Sequence, residues 1–187
     1  HVINDLFEIQ GDSLTTNFSG LNNLDTVGIF KVDIFYTNAI RQYTLQGLDN
    51  LKYIREIPNN PRYYSFQGLN KINRIETFNV VNSNYPYVRN SLRGLESLKS
   101  IGDLMMDGDS MFCQGLNNVE TIHNIRPYNY TIWYFSAAGL DNLKEITGTF
   151  TVTYPANFRG MNKINYINNF ITSHDIFGWT GDTLSFD

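Results

Sequence analysis

The sequence predicts a mainly β solenoid, a parallel β-helix of about seven to eight stacked coils, on three observations. A 13-residue phrase recurs: FSGLNNLDTVGIF from Phe18, LQGLDNLKYIREI from Leu45, FQGLNKINRIETF from Phe66, LRGLESLKSIGDL from Leu92, CQGLNNVETIHNI from Cys113, AAGLDNLKEITGT from Ala137 and FRGMNKINYINNF from Phe158. Within each phrase apolar residues return every third position, as in Phe66, Leu69, Ile72, Ile75 and Phe78. The glycines of successive phrases, Gly20 to Gly160, lie 27, 21, 26, 21, 24 and 21 residues apart. A unit of this size cannot bury its apolar edge alone, and stacking on its neighbours is what buries it.

Taken in chain order, the opening HVINDL aligns with the end of a unit, Ile3 and Leu6 matching Ile122 and Ile125, so the chain starts inside a coil. Each unit then opens on a corner. Spacing of three fits neither an α-helix nor a period-2 strand, but it fits tight 3₁₀-like turns with one side chain per turn pointing inward. The residue before most corners is small and polar (Asn17, Thr44, Ser65, Ser91, Ser136, Asn157) and suited to capping turn amides. The repeated glycine marks a backbone position where a Cβ would clash. β-Branched runs after the corners, at 78–81 and 150–153, read as strands, with coils about 4.8 Å apart. Residues 1–170 form the solenoid, and 171–187 leave the repeat as a C-terminal cap around Trp179 or the start of a linker.

Composition excludes several roles. A net charge of −4 lacks the basic stripe of a nucleic-acid-binding surface, and no apolar run reaches the length of a membrane span. The first residues do not read as a signal peptide. The single cysteine, Cys113, forms no internal disulfide and occupies a core slot, as a small hydrophobe rather than a nucleophile. With 24 Asn and 12 Tyr, the surface is expected to be hydrogen-bonding and weakly charged, in keeping with an extracellular or cell-surface location.

The units GLESLKSIGDL and GLDNLKEITGTFTV resemble the leucine-rich coils of receptor L domains and of bacterial and protist surface relatives. The resemblance spans most of residues 3–170. It implies a right-handed parallel β-helix or leucine-rich-repeat-like solenoid with an extracellular recognition role and no enzymatic one. The chain departs from that pattern in lacking internal disulfides, and in carrying the second glycine only near Gly28, Gly102 and Gly148.

Function is sought where the repeat varies. From the last apolar residue of one unit to the first of the next the distances are 12, 15, 9, 14, 9, 12 and 9, so all length variation leaves the solenoid along one side. Alternating long and short coils spaces the protrusions. Ten of the 12 tyrosines fall there, with Trp133, Phe35 and Phe135. Tyr36, Tyr85, Tyr87, Tyr128, Tyr130, Trp133 and Tyr134 are the candidate ligand-binding residues, because tyrosine gives contact area at low entropic cost with a polar tip. The bland alternative is that they stack as ladders between coils. The expected partner is a glycan or a cell-surface protein. Neither nucleic acid nor membrane insertion is expected, and an oligomer is compatible with the sequence.

Chemistry has weaker support. Asp107 and Asp109 flank Gly108 without the distal Glu of a calcium loop, so no metal site is expected, and no cofactor. Asp5, Glu56 and Asp103 share one repeat position, which would stack carboxylates in a column as in β-helical polysaccharide-degrading enzymes. His1, His123 and His174 are isolated, and no catalytic triad spacing occurs. The sequons at Asn17 and Asn129 read as chance in so Asn-rich a chain. The expected function is non-enzymatic recognition or adhesion. A spacer or tip of an oligomeric surface or phage fibre is the first alternative, and a β-helical polysaccharide-degrading enzyme the second.

Overall fold

The computed structural model describes residues 1–11, 18–34, 45–58, 66–81, 94–107, 111–113, 115–127, 135–153 and 156–173. The expected fold class is present, a mainly β chain wound into a parallel solenoid, with about 5 turns rather than the seven to eight coils expected. Eight strands form one sheet, stacked in order along the chain: β1 (Val2–Gly11), β2 (Thr26–Ile34), β3 (Tyr53–Ile57), β4 (Arg74–Val81), β5 (Ser100–Asp107), β7 (Thr121–Pro127), β9 (Glu145–Thr153) and β11 (Tyr166–Ser173). Every pairing between them is parallel. A smaller parallel sheet is made by β6 (Met111–Phe112), β8 (Phe135–Ser136) and β10 (Ala156–Asn157), each entering the corner that follows it.

The three-residue spacing has a direct backbone cause. Each corner is two successive i→i+3 turns, in which the amides of Leu48 and Leu51 bond to the carbonyls of Leu45 and Leu48 at 3.1 and 3.0 Å. Leu116 and Val119 repeat this from Cys113, as do Leu140 and Leu143 from Ala137. One inward side chain per turn follows. The glycine of the corner is required twice over. At Gly94 φ is +97°, and a Cβ would sit 2.0 Å from the carbonyl oxygen of Phe66 in the coil before. The polar residue ahead of the corner caps it where it is described: Asn157 Oδ1 accepts from the Arg159 amide at 2.9 Å, and Ser136 Oγ from Ala138 at 3.4 Å.

Threefold spacing continues into the strands, where a regular pleat would send alternate side chains outward. The ladder resolves this by skipping a residue. Val27 pairs Ile54 and Ile29 pairs Glu56, while Gly28 and Arg55 fall between; Ile75, Thr77, Ile101 and Asp103 repeat the pattern around Glu76 and Gly102. Two neighbouring residues therefore face outward, and Ile54 and Ile57 both face the core.

Two expected alignments shift. In β1 the partner of Phe30 is Phe7, with a bulge between Ile3 and Leu6, so Leu6 is 49% exposed and Phe7 takes the core slot assigned to it. In β9 a bulge next to Gly148 makes Phe150, not Thr149, the partner of Ile125 and Phe170. A bulge adds one residue without disturbing neighbouring coils, and sequence spacing alone does not reveal it.

The core is one column of stacked Leu, Ile, Val and Phe running the length of the solenoid. Phe135, expected among the protruding aromatics, belongs to this core. It is 1% exposed, with its ring 5.6 Å from Phe150 and 5.9 Å from Phe158. Cys113 is fully buried, as expected, and its burial pushes the thiol well above the ordinary range, leaving it inert.

Candidate functional site

The stacking fixes where the variable segments leave and return. All eight strands of the main sheet run parallel, so their C-terminal ends lie along one edge of the sheet. The variable segments begin within these strands, past the last repeated apolar residue, and the described parts before the next corner are β6, β8 and β10. The candidate residues Tyr36, Tyr85, Tyr87, Tyr128, Tyr130, Trp133 and Tyr134 fall on these segments and lie outside the described residues, as do Phe35, Asp109, His174, Trp179, Asn17 and Asn129.

What the described residues add is an ordered polar exterior with a period of two coils. One residue after the corner leucine stand, in successive coils, Asn22, Asp49, Asn70, Glu96, Asn117, Asp141 and Asn162. Amide and carboxylate alternate without exception, and the reason is local. Asn70 Nδ2 donates to Asp49 Oδ1 at 3.0 Å, and Asn117 Nδ2 to Asp141 Oδ2 at 2.9 Å, whereas carboxylates stacked about 4.8 Å apart would repel. Three residues further on the order is Asp25, Lys52, Asn73, Lys99, Glu120, Lys144 and Asn165. Lysine marks every second coil. Lys99 and Lys144 reach the two oxygens of Glu120 at 3.1 and 2.7 Å, and together they hold its carboxyl below the usual carboxylate range.

Between these columns runs a third. Asn50, Asn118 and Asn142 each donate a side-chain amide to a backbone carbonyl of the coil before, those of Asn22, Glu96 and Asn117, at 2.6, 2.7 and 2.6 Å. Lys71 and Lys163 take the same position and reach Asn50 and Asn142. The high asparagine content thus has a structural source. The alternation was present in the sequence as GLDNLK, GLESLK and GLDNLK interleaved with GLNNLD, GLNKIN, GLNNVE and GMNKIN. It becomes visible only when whole columns are compared.

The outward sheet face carries the column expected to stack carboxylates. Its members are Leu6, Ile29, Glu56, Thr77, Asp103, Asn124, Thr149 and Asn169. Asp5 is not among them, because the β1 bulge puts Leu6 in its place. Glu56 and Asp103 are separated by Thr77, hence by about 9.6 Å, two strand spacings. Asp103 is also engaged: Asn124 Nδ2 donates to Oδ1 at 2.6 Å and Arg126 pairs with Oδ2 at 3.3 Å. Asn124 Oδ1 in turn accepts from the Thr149 amide at 2.7 Å. His123 meets Thr147 Oγ1 at 3.0 Å across the next coil pair. The face is a hydrogen-bonded ladder rather than a poised acid pair.

Among the described residues no group of His, Cys, Asp or Glu could hold a metal ion, and no helix is long and apolar enough to cross a membrane. Comparison with protein-family models, with curated proteins and with solved structures finds no match for this chain.

Proposed function

We propose that the chain is a non-enzymatic recognition or adhesion module working outside the cell, which takes a glycan or a cell-surface protein on the aromatic segments between its coils. One observation carries the reading. The eight strands of the main sheet repeat in parallel from coil to coil, and ten of the 12 tyrosines lie in the sequence segments between the repeated units. Rigid scaffold and variable aromatic loops are the division of labour of binding surfaces. A pyranose has an apolar C–H face and a hydroxyl rim, which suits tyrosine and tryptophan with asparagine nearby. The resemblance of the coils to leucine-rich receptor L domains supports the same direction.

The test is glycan-array binding of the chain beside a Tyr128→Ala, Tyr130→Ala, Trp133→Ala variant. Loss of at least about tenfold in signal is expected if two or three aromatic contacts are removed. Unchanged binding, or no ligand on glycan and cell-surface protein arrays alike, would sink the reading.

A second reading, a spacer or tip within an oligomeric surface fibre, draws on the continuous polar columns, which tie each coil to the next. A stable trimer in light scattering with no ligand found would favour it. Polysaccharide cleavage lost in Glu56→Gln or Asp103→Asn would favour an enzyme; the engagement of Asp103 by Arg126 and Asn124 weighs against that.

A further inference from the structure

The alternation of charge and the alternation of length keep the same rhythm. From the glycine of an amide-type corner (Asn22, Asn70, Asn117) to the next glycine the chain runs 27, 26 and 24 residues. From the glycine of an acid–lysine corner (Asp49 with Lys52, Glu96 with Lys99, Asp141 with Lys144) it runs 21 each time. The polar residues of a corner and the length of the segment that follows its strand have no local connection, yet they change together.

The corner geometry explains why like types make poor neighbours. The first polar side chain of a corner folds back on its own glycine. Asp49 Oδ2, Glu96 Oε1 and Asn117 Oδ1 accept from the amides of Gly47, Gly94 and Gly115 at 3.2, 3.1 and 3.3 Å. Each carboxylate keeps one further oxygen, which can only accept, and Asn117 keeps its Nδ2, which can only donate. Asn70 accordingly donates to Asp49 and Asn117 to Asp141. Two acid–lysine corners in contact would set carboxylate against carboxylate and lysine against lysine, one strand spacing or about 4.8 Å apart. The order present instead gives Glu120 a lysine on either side, at 3.1 and 2.7 Å.

We propose that the building unit of this solenoid is a pair of coils, and that its polar columns are a register device admitting only unlike corners as neighbours. The device holds the long segments of the sequence to every second coil, about 9.6 Å or two strand spacings apart. Apolar contacts cannot make that choice. The buried slots of the two types are interchangeable, with Leu48, Leu51 and Ile54 in one corner and strand and Leu69, Ile72 and Ile75 in the next. The pairing acts between coils and does not depend on what the long segments bind.

Two internal deletions test it. Removing residues 66–91 sets the Leu92 coil on the Leu45 coil, both of acid–lysine type. Removing residues 45–91 sets the same coil on the Phe18 coil, which is of amide type. The second chain is one coil shorter and, were all coils equivalent, would be the less stable. It is expected instead to melt about 3 °C or more above the first at low salt. At about 1 M salt, where the screening length is roughly 3 Å, that gap should shrink by half or more. Should the first deletion not fold, Asn70→Asp in the full chain decides, because it places a carboxylate between Asp49 and Glu96. It is expected to lower the Tm by about 2–4 °C at low salt and by under half that at about 1 M. A first deletion that melts at or above the second, or an Asn70→Asp loss that salt leaves unchanged, overturns the proposal.

Discussion

At the scale of single residues, the glycine column shows how far one atom can matter. Gly94 combines φ of +97° with a carbonyl oxygen 2.0 Å from any added Cβ. Alanine there would both strain the backbone and push two coils apart. Gly94→Ala is therefore expected to cost about 2–4 kcal/mol, read from the urea midpoint. The motif was legible in the sequence because glycine recurs at a fixed offset from a leucine. The partner in the clash behind it, the carbonyl of the residue opening the preceding corner, lies more than 20 residues away along the chain. Phe135 went the other way. Its place in a variable segment suggests a protruding ring, whereas it packs between the rings of Phe150 and Phe158 in the core.

At the scale of elements, β9 separates spacing from packing. Counting by threes puts Thr149 in the core, but the bulge after Ile146 gives the slot to Phe150, whose ring lies 5.3 Å from Phe170. Phe150→Ala should cost about 3–5 kcal/mol by cavity formation, and Thr149→Ala, on the outer face, under about 1 kcal/mol. Chemical denaturation of the two variants decides between the alignments.

The charged column makes a second statement at this scale. Hydrogen bonds from Lys144 and Lys99, with their charges, lower the Glu120 pKa in the folded chain below its unfolded value. A carboxylate so depressed contributes stability that is present above the unfolded pKa, near 4.5, and is lost as pH falls through the lower folded value. Glu120→Gln should therefore flatten part of the stability loss below about pH 4.5, and added salt should mute the difference because the column is solvent-exposed. Thermal melts from pH 3 to 7 at low and high salt would show both.

At the scale of the whole molecule, stability is distributed along a line. Each coil touches its neighbours, and among the described residues the two end strands have one neighbouring strand each. Amide exchange is expected to be slowest in β5 and β7 and faster by an order of magnitude or more in β1 and β11. Cys113 sits next to the slow region, so its reaction with a thiol reagent should be gated by opening of the central coils rather than by the end coils. Labelling as fast as exchange at β11 would contradict the picture of one continuous core.

The sequence by itself determined the parallel solenoid and the three-residue geometry of its corners. Both follow from local spacing and from a glycine that tolerates no side chain. Tertiary structure decided which residue of each bulged strand faces inward, why asparagine is so abundant, and that alternate coils carry complementary polar columns. It also removed Asp5 from the supposed carboxylate column, because a single inserted residue changes every side chain's face beyond it. Those features depend on what lies one coil above or below, a contact about 4.8 Å away in space and more than 20 residues away in sequence, where spacing within a single unit carries no signal.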